Sequence, residues 1–212
     1  MRPASPRPSK GGGPGRWSPR PATAAADGVR SRAYSWDDPA ITAAAARERD
    51  GEAFLRAILD GSLPAAPIAR TLDFVPVSVQ PGSVVFEISP AEFHYNPIGS
   101  VHGGVIATLC DSACGCAVQS MLPAGTFYTS LDLSVKFLRP VTAGTGMLTC
   151  EGTVTHLGGR SALAQAQLTG ADGRLYAHAT SSCMVFRPPI PPAPPTPLAL
   201  PAPPAPPAQP LA

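Results

Sequence analysis

The chain has 212 residues and a formal net charge of +2, and its length suits one domain flanked by tails. So small a charge does not predict a nucleic acid or a membrane surface as partner, and no apolar run approaches the roughly 20 residues of a membrane helix. The five cysteines form no C-x-x-C pair. We interpret them as small core residues in a reducing compartment, and expect a cytoplasmic protein with no metal site.

The two ends of the chain differ in composition from its middle. Residues 1–36 are rich in Pro, Gly, Ser and Arg, with no acidic residue before Asp27, which predicts a disordered extension. A start codon assigned too far upstream is one alternative, and an organelle transit peptide is another, although its prolines would break an amphipathic helix. Residues 188–212 are almost wholly Pro, Ala and Leu and predict a disordered tail, or else a ligand for a proline-recognition module.

A helical segment is predicted over residues 37–63. Asp38 precedes Pro39, a favoured first helical residue, and strong helix formers follow until Gly51 interrupts them. The second part, residues 52–59, is amphipathic, and Gly61 is its expected stop. Residues 64–70 read as a linker into the main domain, which we place at residues 64–187.

A hairpin is predicted next. Residues 71–79 have a strand pattern in which Pro76 favours an edge position, because proline cannot donate to a sheet ladder. The pair Pro81-Gly82 indicates a turn, and residues 83–89 alternate as the returning strand.

The centre of the chain is the stretch from His94 to Met121. Its first part is a turn segment that ends in a His-Gly-Gly step, and about eighteen proline-free, mostly small or apolar residues follow. This pattern predicts a loop that enters a helix so apolar that the rest of the fold, or a second subunit, must cover it.

Asp111 is the exception within that apolar helix. Burying a carboxylate is costly unless it is paired or hydrogen-bonded, so Asp111 is either a satisfied structural group or a working acid or base. Gly103 and Gly104 stand where the first helical amides have no internal partner, which suits a carbonyl oxygen that becomes negative. Gly103 and Asp111 are eight residues apart, roughly 12 Å along a helix. If both act on one substrate, a second copy of the chain must supply one of them.

Strands are predicted after the helix. Leu131, Leu133, Val135 and Phe137 alternate with polar residues, which predicts one strand with a buried face. Further strands are expected at residues 147–156, 161–168 and 175–186, separated by glycine-containing turns. One helix with a run of strands after it indicates an α+β arrangement.

Several spaced motifs occur together in this order. They are Asn96-x-x-Gly99-x-x-His102-Gly103-Gly104, then Leu109-x-Asp111, residues 131–140, and His156-x-Gly158-Gly159-Arg160. Together they resemble the signature of hotdog-fold acyl-CoA thioesterases of the phenylacetate-degradation type, over about residues 50–187. The resemblance implies an antiparallel sheet wrapped around one long helix. It also implies a homodimer with active sites at its interface, which the family often pairs into a homotetramer.

The resemblance also implies roles for further residues. Asn96 would orient water or substrate, although turn chemistry alone explains an Asn before Pro. His102 would position the thioester, or else cap or pack the helix. Ser130 aligns with a hydroxyl near the carboxylate; since it alternates with Leu131, Thr129 is the alternative. His156, Gly159 and Arg160 would bind the coenzyme A part of the substrate, with Arg160 on a phosphate or merely solvated. Arg139 is a weaker candidate of the same kind.

These expectations combine into one function. We expect hydrolysis of a small, medium or aryl acyl-CoA without metal or redox cofactor, in which Asp111 of the opposing subunit activates water or attacks directly. A non-catalytic acyl-CoA-binding module and a hydroxyacyl-thioester dehydratase remain as alternatives. Retention of Asp111 with both glycines disfavours the first, and the absence of a catalytic His motif disfavours the second.

Overall fold

The computed structural model describes residues 23–24 and 28–187. The tail predicted at residues 188–212, and most of the extension predicted at residues 1–36, lie outside the described residues. Within the described part of that extension, strands β1 (Thr23–Ala24) and β2 (Arg30–Ser31) pair with each other. Just after β2, the Arg32 guanidinium donates to the carbonyls of Thr71 and Arg70, over 2.7 and 2.8 Å. The chain around Arg32 is therefore held against the main domain.

Two helices follow, as the sequence predicts. Helix α1 spans Pro39–Glu48 and α2 spans Gly51–Leu59, so Gly51 opens the second helix. The Asp38 carboxylate accepts from the Ala40 amide, and the Asp50 carboxylate accepts from the Ala53 amide. These side chains satisfy amides that a helix start leaves unpaired, which fixes where each helix begins.

The linker predicted at residues 64–70 is wrong in its second half. Helix α3 spans Pro67–Leu72, with Pro67 in the first turn and Asp73 in a left-handed conformation (φ 60°) at its end. The linker prediction did not consider that a proline at the first helical position, here Pro67, is pre-organised for a helix. The following strand consequently begins at Phe74 and not at Thr71.

The predicted hairpin is confirmed. Strand β3 (Phe74–Gln80) pairs antiparallel with β4 (Ser83–Ile88), and Gly82 takes a positive φ of 79° in the turn. The register shifts between Pro76 and Ser78, and β3 lies at one edge of the sheet. An edge position tolerates the amide that Pro76 lacks.

The remaining elements build a curled sheet around one helix. They are α4 (Gly103–Gln119), β5 (Phe127–Ser130), β6 (Ser134–Phe137), β7 (Leu148–Leu157), β8 (Ser161–Gly170) and β9 (Leu175–Phe186). The sheet is antiparallel with the order β3-β4-β7-β8-β9-β5, and β6 also pairs with β9. Helix α4 packs against this sheet through side chains such as Leu109, Cys110, Cys114 and Val118, each at most 1% exposed. The predicted hotdog fold is confirmed.

Gly152 of β7 permits the close contact between helix and sheet. A Cβ atom at this position would lie 2.1 Å from the Ala113 carbonyl oxygen of α4. No real side chain fits at that separation, so glycine is what lets the helix backbone lie on the strand.

The single strand predicted over residues 130–137 is wrong. The segment instead contributes to two strands, β5 and β6, which Asp132 separates. The Asp132 carboxylate accepts a hydrogen bond from the Ser182 amide, and the Asp132 carbonyl accepts one from the Ser181 hydroxyl. The predicted buried face of the segment is only partly covered by this chain: Leu133 and Val135 are half-buried against the core, whereas Leu131 is 64% exposed and Phe137 54% exposed.

One face of α4 is likewise uncovered. Gly104 is exposed, and Ala107, Thr108, Asp111 and Ser112 are only half-buried. The chain therefore leaves a stripe of small and polar helix residues beside two exposed apolar residues, Leu131 after β5 and Phe137 of β6.

Candidate active site

The first turn of α4 holds one unpaired amide. His102 is the residue before the helix, and its Nδ1 accepts from the Gly104 amide over 2.8 Å, while the Val105 amide donates to the His102 carbonyl. No hydrogen bond from the Gly103 amide is found among the residues that the structure describes. The capping alternative for His102 is thus observed, and Gly103 carries the free donor.

An open cleft of about 360 Å³ lies beside that donor. It is lined mainly by apolar side chains and has Gly103 and Arg139 on its wall, together with Ile106, Phe137 and Val141. A Cβ atom on Gly103 would lie 3.1 Å from the Phe137 ring. The absence of a side chain at position 103 therefore lets the aromatic ring and the cleft reach the helix start.

Asp111 is held by a hydroxyl from the sheet. Ser130, at the end of β5, donates from its Oγ to Asp111 Oδ1 over 3.0 Å. The structure thus brings together Asp111 and the residue that the resemblance assigned to it, and Thr129 is not needed as a substitute. The carboxylate is half-buried on the uncovered face of α4, so solvent or a second molecule can reach it.

The structure does not bring Asp111 and Gly103 together. Both lie on α4, eight residues apart, so the rise of the helix separates them by roughly 12 Å. A thioester carbonyl is far smaller than this gap. One chain therefore does not present both groups to a single reacting carbon.

Asn96 organises the loop before the helix. Its Oδ1 accepts from the amides of Ile98 and Ser100, and its Nδ2 donates to the Ser100 hydroxyl. This is the turn chemistry that the sequence left as an alternative. A role for Asn96 in orienting water stays a prediction.

Of the predicted coenzyme A residues, Gly159 and Arg160 lie on the turn between β7 and β8, and His156 lies near the end of β7. His156, Gly159 and Arg160 are all exposed, and the Arg160 carbonyl accepts from the Val185 amide. Arg160 has no side-chain partner within the described part of the chain. The Arg139 guanidinium, by contrast, donates to the Leu175 carbonyl. Because a guanidinium has five N–H donors and Arg139 is also exposed, both arginines remain available to a phosphate.

Two of the cysteines of α4, Cys114 and Cys116, are poor nucleophiles. Burial raises the pKa of Cys114 to about 12 and that of Cys116 to about 12, so both thiols stay protonated at neutral pH. No group of three or more His, Cys, Asp or Glu side chains suited to a metal occurs among the described residues. No described helix is both long and apolar enough to cross a membrane.

Sequence reasoning missed two contributors to this region. Phe137 was predicted as a buried strand residue, yet its ring lies against Gly103; strand periodicity gives no signal for that contact. His94 was taken only as the start of the loop, although its side chain is 2% exposed and doubly hydrogen-bonded.

The sequence pattern of the thioesterase superfamily matches residues 98–177, which include the start of α4, Asp111 and Ser130. A phenylacetic acid degradation-related protein from Ralstonia eutropha is 30% identical in its solved structure, with a TM-score of 0.56. That match covers 61% of this chain and 98% of the other. The chain belongs to the thioesterase superfamily.

Other members of the superfamily give the same indication. Human acyl-coenzyme A thioesterase 13 is 32% identical over 91 residues, which make up 42% of this chain. The match covers 64% of the human protein, which is less than two thirds of the human protein's length. A Saccharolobus solfataricus protein named as an esterase is 29% identical over 136 residues, 64% of this chain and 95% of the relative. Membership and these relatives support thioester hydrolysis as the class of reaction for this thioesterase-superfamily protein.

Proposed function

We propose that the protein hydrolyses acyl-CoA thioesters with small, medium-length or aryl acyl groups to a free acid and coenzyme A. Superfamily membership and the name of the human relative support this substrate class. The observation that carries the proposal is the Asp111 carboxylate, held by Ser130 on the uncovered face of the helix whose first amide is unpaired.

The Gly103 amide is the proposed oxyanion donor. As the thioester carbonyl becomes tetrahedral its oxygen turns negative, and an amide at the positive end of a helix stabilises that charge. The Gly104 amide becomes a second donor when the exposed His102 ring turns away from it.

A second copy of the chain supplies Asp111 in this proposal. Because one chain keeps the two groups about 12 Å apart, each site combines Gly103 of one subunit with Asp111 of the other. The exposed Leu131 and Phe137 beside the uncovered face of α4 support a homodimer through this surface. Pairing of dimers into a homotetramer is proposed from the family resemblance alone.

The proposed chemistry has two forms. In one, Asp111 takes a proton from water as the water oxygen bonds to the carbonyl carbon; the C–S bond then breaks, and Asp111 returns the proton to the coenzyme A sulfur. In the other, the Asp111 oxygen attacks, coenzyme A leaves as its thiolate, and water cleaves the resulting anhydride. Label found in Asp111 after a single turnover in ¹⁸O-labelled water would identify the anhydride route, because activation of water by Asp111 leaves its own oxygens unlabelled.

Arg160 is the proposed contact for a coenzyme A phosphate. Ser161 of β8 pairs with Met184 of β9, and Met184 pairs on its other side with Thr129 of β5. The turn that contains Arg160 therefore lies at the same end of the sheet as Ser130. Two strand spacings, roughly 10 Å, separate that turn from β5. Each proposed site then takes Arg160 and Asp111 from the same subunit.

The test is steady-state hydrolysis of an acyl-CoA panel with a thiol reagent, using the wild type, Asp111→Ala and Ser112→Ala. Ser112 is the matched control, since it neighbours Asp111 on the same helix face. We expect Asp111→Ala to lower kcat by about 10² or more, and Ser112→Ala to stay within about 2-fold. Sizing of each variant checks the dimer. A wild type that binds the panel but hydrolyses none of it would contradict the proposal and favour the binding-module alternative.

A further inference from the structure

The side chain of His94 joins two parts of the fold. It is 2% exposed, and its Nε2 lies 2.9 Å from the Leu72 carbonyl at the end of α3, while its Nδ1 accepts from the Ala91 amide over 3.0 Å. An amide can only donate, so Nδ1 carries the lone pair and Nε2 carries the proton that is donated to Leu72. The neutral form of the ring satisfies both contacts.

The end of α3 is a fixed anchor for this contact. The carbonyls of Arg70 and Thr71 accept hydrogen bonds from the Arg32 guanidinium. The carbonyl that follows them, that of Leu72, accepts one from the His94 ring. Arg32 also lies over the Phe93 ring, 4.1 Å from its centroid. The side chains of Arg32 and His94, both from outside the helix, therefore satisfy three successive carbonyls at the end of α3. Each of these two side chains is also held by contacts of its own.

The backbone of His94 leads directly to the oxyanion donor. Its carbonyl accepts from the His102 amide over 2.8 Å, and Tyr95 pairs with Val101, so the loop between them is a closed hairpin. His102 immediately precedes Gly103. The ring of His94 thus ties α3 to the base of the loop that ends at the proposed oxyanion site.

We propose that His94 is a positioning residue, which fixes the Gly103 amide by tying the closed loop at residues 95–101 to the end of α3. The proposal rests on the proposed thioesterase function, in which that amide stabilises the reacting oxygen. His94 itself touches no substrate. A displacement of about 1 Å in a positioned group can cost about 10² in rate, so a contact of this kind affects turnover more than binding.

The test uses two conservative variants, each of which can keep only one of the two ring hydrogen bonds, to the Leu72 carbonyl or from the Ala91 amide. In His94→Gln the side-chain amide reaches the place of Nε2 and can still donate to the Leu72 carbonyl. In His94→Asn the shorter side chain reaches only the place of Nδ1, so the tie to α3 is lost. Val84→Ala is the matched control, because Val84 is fully buried at the far end of β4 and its loss destabilises the fold away from this loop.

We expect His94→Asn to lower kcat by about 10-fold or more with KM within about 2-fold, and His94→Gln to recover most of that loss. Val84→Ala, although less stable, should retain the wild-type kcat. Equal losses in His94→Asn and Val84→Ala, or no loss in His94→Asn, would overturn the proposal.

A second readout does not depend on turnover. Hydrogen–deuterium exchange of residues 95–104 should be faster in His94→Asn than in wild type, His94→Gln or Val84→Ala. If the wild type hydrolyses no acyl-CoA, the thioesterase proposal fails, yet this exchange still decides whether His94 holds the loop. Unchanged exchange in His94→Asn would overturn the positioning role by itself.

Discussion

The Ser130 hydroxyl donates to the Asp111 carboxylate over 3.0 Å and so links the end of a strand to the middle of the central helix. The bond fixes one carboxylate oxygen of a residue that lies half-buried on the uncovered face of α4. A carboxylate oriented in this way suits either activation of water or direct attack, since both need one defined oxygen facing the substrate.

Removing the Ser130 hydroxyl should slow turnover. We expect Ser130→Ala to lower kcat for an acyl-CoA substrate by about 10-fold, because Asp111 loses the group that orients it. Steady-state kinetics check this, with Thr129→Ala as the neighbouring control and Ser130→Thr as a variant that keeps the hydroxyl. A larger loss in Thr129→Ala than in Ser130→Ala would mean that the strand neighbour holds the carboxylate during reaction.

Shared active sites predict complementation between two inactive variants. Asp111→Asn removes the acid or base, and Gly103→Val crowds the oxyanion amide and the Phe137 ring next to it. When the two are unfolded together in equal amounts and refolded, half of the dimers should be mixed, each with one intact site. Activity should then return to about a quarter of the wild-type value. Mixtures no more active than the separate variants would show that both groups act within one chain.

A side chain at Gly152 should destabilise the fold. In Gly152→Ala the new methyl would meet the Ala113 carbonyl at 2.1 Å, so strand and helix must separate. We expect a loss of about 1 to 3 kcal/mol or more in the free energy of unfolding, measured by urea denaturation. Gly159→Ala is the control, since a Cβ there meets nothing within 4 Å. Equal stability of the two variants would contradict the close contact.

Acid should weaken the fold through His94. Burial lowers the pKa of His94 below its ordinary value of 6.5, and the nearby Arg32 guanidinium acts in the same direction, although the Leu72 hydrogen bond opposes them. The unfolded chain therefore takes up this proton first as the pH falls. Stability from this residue is complete above about pH 6.5 and decreases as the pH drops towards the pKa of the folded protein.

Urea denaturation at several pH values between 7.5 and 5 checks this effect, with His94→Gln as the control that has no group to titrate. The charged group beside the ring, Arg32, and its ion-pair partner Asp73 are the same in both proteins. We expect the wild type to lose more stability than His94→Gln over this range. Parallel pH profiles would show that His94 does not contribute.

The sequence by itself determined the elements whose cause is local. Asp38 before Pro39 opens the first helix, Gly82 permits the hairpin turn, and the spacing of Asn96, Gly103 and Asp111 indicated the superfamily before any geometry. Each of these depends on neighbouring residues in the chain, and pattern reasoning captures such effects.

Contacts between distant segments were decided only by the tertiary structure. From the alternation of apolar and polar residues alone, residues 130–137 were predicted to form one strand with a buried face. In the structure Asp132 is hydrogen-bonded to Ser181 and Ser182, some fifty residues away, and this separates the segment into two strands. The same is true of the choice of Ser130 over Thr129, of Phe137 on Gly103, and of His94 on Leu72. Such contacts follow from how the sheet curls around α4, because periodicity assigns a residue to a face but not to the partner that it meets there.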